Sequence, residues 1–246
     1  MASRPLWAPK ELDTPEKMIA EARKAFFVMF GFMVVIWALQ IVNWMDDQHL
    51  SADYGVVPHD VSRLQDIFAA PFLHFSWAHI ESNSGPLFVF GFLAAYRGVV
   101  RFLWLTLLVT VTSGMAVWIF QGGDTVGVGA SGVIFGYFGY VVLRGVFDRH
   151  LIDTLIGLVM AASFAYILTV AVPGTPGVSW LAHLGGLVGG VAGAWLLRDR
   201  RPAVAVAAAV PGPLSGGDPV APSAPGKELD QTRSDLHKEL GDLGLL

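Results

Sequence analysis

Six separate windows of mostly apolar residues run through this chain, and that repetition leaves few folds open to it. They cover residues 25–44, 77–96, 102–120, 129–146, 151–172 and 180–197. Each approaches the roughly 20 residues that a helix needs to cross the hydrocarbon core of a bilayer. Lipid offers backbone N–H and C=O groups no partners, so a spanning segment must satisfy them internally, as a helix does. The rest of the sequence agrees. Only 15% of residues are charged, where a soluble domain carries about a quarter, and the mean hydropathy is +0.55. The expected class is an all-α membrane protein with a bundle of six transmembrane helices. The first window follows a leader of acidic and basic residues, and no small-residue cleavage site comes after it. It reads as an anchor rather than a removed signal peptide.

The basic residues set the orientation. Of the 16 Lys and Arg, all but Arg63 precede window one, lie between windows two and three, lie at the end of window four or between four and five, or follow window six. Positive residues are retained on the cytoplasmic side, so both termini are expected there. The domain reading follows: a cytoplasmic leader at 1–24, a membrane domain at 25–197, and a cytoplasmic tail at 198–246. Residues 202–226 are rich in Ala, Pro and Gly and read as disordered. Leu229, Leu236, Leu240 and Leu243 form a weak helical pattern in the tail. Residues 45–76 make an extracytoplasmic loop long enough to suggest more than a connector. The net charge of −4 argues against a nucleic-acid partner. The chain has no cysteine, which excludes thiolate nucleophiles, thiolate metal sites and disulfides.

Windows two, four and six then run in the same direction, from outside to inside, and their first turns share one depth. Those turns carry His79 and Asn83, Ser131, and His183. Polar residues within spans are costly and usually functional. A serine hydroxyl is a weak nucleophile until a base takes its proton, and neutral histidine is the usual base. Ser131 and His183 supply that pair if windows four and six touch. The spacings Gly132/Gly136 and Gly186/Gly190 are of the GxxxG type, which permits close backbone approach in lipid. The amides of a helix's first turn are unpaired, and its dipole is positive there. A developing oxyanion beside Ser131 would find donors, and His79 and Asn83, four apart, share a helix face that adds more. Each residue also has a plainer reading: Ser131 as an N-cap, His183 as an interfacial histidine on a loop carbonyl, His79 and Asn83 as interhelical hydrogen-bonders.

Other intramembrane chemistries lack their residues. There is no HExxH for zinc and no GxGD, and all five lysines fall outside the windows, which removes a serine–lysine pair. Windows four and six hold no acid, so a dyad rather than a triad is the simplest reading. A transporter would show broken helix repeats or charges at mid-membrane, and neither is present.

Three segments resemble the rhomboid family of intramembrane serine proteases. GVGASGVIFG (127–136) resembles the family's GxSG motif, with Ser131 in the nucleophile position. AHLGGLVGG (182–190) resembles its last-helix motif, with His183 in the base position. FLHFSWAHIESN (72–83) resembles the segment ending in HxxxN, matching His79 and Asn83. The resemblance covers residues 55–197, with window one added by position. It implies a six-helix core, no cofactor or metal, and cleavage of single-span membrane proteins near the extracytoplasmic surface of the cell membrane. The implied oxyanion donors are the Ser131 amide, His79 and Asn83, with Phe135 and Gly129 as substrate-binding positions. Phe135 stands where some members have tyrosine, and the Trp-Arg pair of some first loops is absent. The alternative within the resemblance is an inactive rhomboid-like protein that binds or unfolds membrane helices.

Overall fold

The computed structural model describes residues 14–170, 172–174 and 177–199. The chain divides at residue 201 into two units, and the described residues all fall in the first. The leucine pattern of the tail lies outside them. Among the described residues the protein is helical, without strands. Seven α-helices follow in order: α1 (Pro15–Met45), α2 (His49–Tyr54), α3 (Trp77–Ala95), α4 (Val99–Phe120), α5 (Ser131–Asp148), α6 (Leu151–Ser163) and α7 (Trp180–Leu196).

The helix at the centre is α5, packed by α3, α4, α6 and α7. Its residues 132–141 are buried without a break. A helix apolar on every side has no solvent or lipid face to spare and belongs inside a bundle. Helix α1 packs chiefly on α3. Ala25, Met29, Ile36, Gln40 and Asn43 form its buried stripe, while Phe26, Phe27, Phe30, Val34 and Val35 stay exposed. Contact with α3 is close because Gly91 leaves room for the Met29 side chain.

Several boundaries differ from the sequence reading. α1 starts at Pro15, well inside the expected leader. Thr14 Oγ1 accepts from the Lys17 amide at 3.4 Å, and proline suits the first helical turn. The charged residues of the leader are therefore partly helical, with Lys24 on Glu21 at 2.8 Å. The fourth window begins its helix at Ser131 rather than Gly129, whose φ of +121° is not helical. The fifth is α-helical only to Ser163 and continues as a 3-10 segment, Ala165–Val170. Among the described residues two helices, α1 and α4, are long and apolar enough by composition to cross a membrane, and α6 and α7 are shorter apolar helices.

The long loop after α1 is built rather than loose. It holds α2 and two 3-10 segments, Val61–Phe68 and Ala70–Phe72. Arg63, the isolated basic residue of this stretch, clamps it. Its Nη2 donates to the carbonyls of Ala52, Asp53 and Gly55 at 3.1, 2.5 and 3.0 Å, and its Nε to Asp66 at 2.8 Å.

At the opposite end of α5, basic residues are paired rather than free. Arg144 Nη2 meets Asp153 at 2.8 Å, Arg97 meets the same carboxylate, and Arg101 meets Asp199 at 2.7 Å. The Asp199 amide in turn donates to Asp148 at 2.7 Å. These pairs join the ends of α4, α5, α6 and α7.

Candidate active site

The N-termini of α3, α5 and α7 meet around one cavity of about 900 Å³, lined among others by His79, Asn83, Ser131, Phe135, Gln121 and His183. Ser131 is the first residue of α5, and its Oγ lies 2.9 Å from His183 Nε2. His183 is 2% exposed. The ring of Phe135, one turn into α5, lies parallel to its imidazole at 4.3 Å and 12°. The serine therefore holds a hydrogen bond to a histidine whose orientation is fixed by stacking.

Glycine sets that distance. A Cβ on Gly186 would overlap the carbonyl of Gly132, and one on Gly190 the carbonyl of Gly136. The two GxxxG rows face each other, so α5 and α7 approach backbone to backbone. The start of α7 is tied down separately. Ser179 Oγ accepts from the Ala182 amide at 3.3 Å and donates to Gln121 Oε1 at 2.7 Å, joining α7 to the end of α4.

Gly129 faces the second group of residues. A Cβ there would sit 2.6 Å from His79 Cε1, 2.7 Å from His79 Nε2 and 3.8 Å from Asn83 Nδ2. Its positive φ and this contact both require glycine. Asn83 is 7% exposed, and its Nδ2 has no hydrogen-bond partner among the described residues. A buried amide donor is normally satisfied, and this one borders the cavity, where an incoming group can meet it. Pro86 also lines the cavity. It has no N–H for the carbonyl of Ser82.

All six expected positions, Ser131, His183, His79, Asn83, Phe135 and Gly129, thus border one space. Sequence reasoning missed His74, whose side chain is fully buried. Its Nε2 accepts from the Ala130 amide at 3.4 Å, and its ring packs edge-on against His79 at 4.9 Å. The signal was in plain view, a histidine five residues before His79 in FLHFSWAH. It lies ahead of the helix, outside the first turn that carries His79. Among the described residues no cluster of three or more His, Asp or Glu side chains is placed to hold a metal.

A helical bundle with a serine hydrogen-bonded to a buried histidine at one mouth is the class this geometry defines. Residues 61–200 match the Rhomboid domain, and the chain belongs to the rhomboid family. It is 34% identical over 174 residues to an uncharacterized protein of Mycobacterium tuberculosis, covering 68% of this chain and 72% of that one. It is 33% identical over 174 residues to one of Mycobacterium leprae, covering 68% of each. Against Rhomboid-like protein 11, chloroplastic, of Arabidopsis thaliana it is 32% identical over 152 residues, covering 56% and 54%. Family and apolar helices together make it a membrane protein.

Proposed function

We propose that this chain is an intramembrane serine endopeptidase that cuts single-span membrane proteins by a Ser131–His183 dyad. The observation that carries the reading is the 2.9 Å contact between Ser131 Oγ and His183 Nε2 beside a buried donor, Asn83 Nδ2, that has no partner among the described residues. In this mechanism neutral His183 takes the hydroxyl proton as Ser131 attacks the scissile carbonyl, then gives it to the leaving amine. The Ser131 amide, His79 and Asn83 stabilise the oxyanion. Water then hydrolyses the acyl-enzyme, with His183 again as base. No metal or cofactor takes part.

The proposal extends to topology. Helices α1, α3, α4, α5, α6 and α7 are the six spans, both termini are cytoplasmic, and the cavity opens on the extracytoplasmic side of the cell membrane. A substrate helix has its carbonyls bonded in the ladder, so it must unwind near that surface before Ser131 reaches one. Gly129 and Phe135 border the place where the unwound segment lies.

The test is cleavage of a single-span substrate by purified protein in proteoliposomes, with labelling by a fluorophosphonate. Ser131→Ala and His183→Ala each abolish turnover, and the double variant is no worse than either, because the pair acts as a unit. Folded wild-type protein that neither cleaves nor labels would instead indicate an inactive relative that binds membrane helices.

A further inference from the structure

We infer that His74 is a positioning residue for Ser131: its Nε2 takes the Ala130 N–H and leaves the Ser131 N–H as the first uncommitted donor of α5. The inference rests on the protease reading above. The backbone leading into α5 is tied down in sequence. The Gly127 amide donates to the Val56 carbonyl at 2.9 Å, and the Gly129 amide to the Ala70 carbonyl at 2.9 Å. The Ala130 amide donates to His74 Nε2 at 3.4 Å. No backbone acceptor takes the Ser131 N–H among the described residues, as expected in a first turn. Ala130, the N-cap residue, offers no side-chain cap of its own.

His74 is itself held from behind. Its carbonyl accepts from Asn43 Nδ2 at 2.9 Å and from Ser51 Oγ at 3.2 Å. The Ser51 amide donates back to Asn43 Oδ1 at 3.0 Å. Asn43 and Ser51 are both fully buried. This polar chain runs from the end of α1 through α2 to the backbone of His74. Its imidazole then makes a T-shaped contact with His79 at 4.9 Å. One side chain therefore locates both a backbone donor beside Ser131 and the ring of His79. With Nε2 accepting, the ring proton sits on Nδ1, which has no partner among the described residues. Burial and the neighbouring His79 push the His74 pKa down to about 3, so the imidazole stays in the neutral form that can accept.

The variants are chosen to separate accepting from filling space. In H74Q, Oε1 lies the same number of bonds from Cα as Nε2 and keeps an acceptor. H74L keeps bulk without one, and H74F does the same with a ring. In H74L and H74F, kcat and the rate of Ser131 labelling by a fluorophosphonate fall about tenfold, the worth of one neutral hydrogen bond at its upper range. KM stays within about twofold. H74Q stays within about twofold of wild type on both rates. Tm is measured for all three, so that rate is compared between folded proteins. Wild-type rates in whichever of H74L and H74F folds, or an equal fall in H74Q, overturns the inference. Absence of cleavage and labelling in folded wild type overturns the protease reading and this inference with it. Labelled wild type with indifferent variants overturns this inference alone.

Discussion

The Cα of Gly186 rests on the carbonyl oxygen of Gly132, and no methyl group fits between them. Gly132 follows Ser131 directly, and Gly186 lies within one turn of His183, so this contact sets the spacing of the pair. Gly186→Ala must push α7 away from α5. Overpacking of this kind costs about 1–3 kcal/mol, and the 2.9 Å hydrogen bond lengthens with it. Tm and kcat both fall. Gly31→Ala is the control: it adds a methyl in α1 with nothing within 4 Å and raises stability by about 0.5–1 kcal/mol as a plain helix substitution. Equal Tm for Gly186→Ala and wild type would show that the helices have slack.

Asp153 holds two guanidinium groups, Arg144 at 2.8 Å and Arg97, and is itself 7% exposed. Removing one partner of a buried ion pair leaves the other charge uncompensated, at a cost of about 3–5 kcal/mol. Asp153→Ala lowers Tm strongly. Arg144 lies near the far end of α5 from Ser131, roughly 20 Å along the helix at 1.5 Å per residue. The folded fraction therefore labels at the wild-type rate, within about threefold by this argument from distance. Thermal melts and labelling at low temperature check the two halves separately.

The periodicity of the sequence and its first-turn polar residues made much of this legible. Ser131, His183, His79 and Asn83 each sit near the start of a helix, and three parallel starts converge by topology alone. The facing glycines were readable for the same reason, since each row lies on one helix stripe. What was not readable depends on chain that has no period. The length of the loop before α3 suggests more than a connector, but nothing in its sequence says what orders it. It is ordered by Arg63 reaching three carbonyls and by Asn43 and Ser51 holding His74. Such contacts leave no spacing signature. Apolar content marks the membrane part of α1, while its start is set by the Thr14 cap and Pro15 in a charged stretch.

His74 also makes a pH signature. It lies in the segment between Phe72 and Trp77, and its folded pKa is about 3 against an ordinary value of 6.5. The unfolded chain therefore binds a proton between these values that the folded protein refuses. Stability from this group is complete above pH 6.5 and declines as pH falls toward 3, by about 1.4 kcal/mol per unit. H74Q lacks that group. The stability difference between wild type and H74Q should thus shift against wild type from pH 7 to pH 5. Denaturant melts in detergent at both values measure it. A pH-independent difference would mean that His74 titrates in the folded protein as it does in the unfolded chain, and a shift toward wild type that it is charged there.

Asn83 separates a functional role from a structural one most cleanly. Its buried Nδ2 has no partner among the described residues and borders the cavity. A donor that serves a charge formed only during reaction meets its acceptor when the substrate arrives. Asn83→Leu removes the donor while conserving most of the side-chain shape. Tm then holds or rises, since nothing bonded is lost. At the same time kcat falls about 10²–10³-fold, the usual cost of one oxyanion donor, with KM little changed. The two measurements move in opposite directions only if Asn83 acts on the transition state. A lower Tm with wild-type kcat would assign Asn83 to the fold and remove it from the oxyanion site.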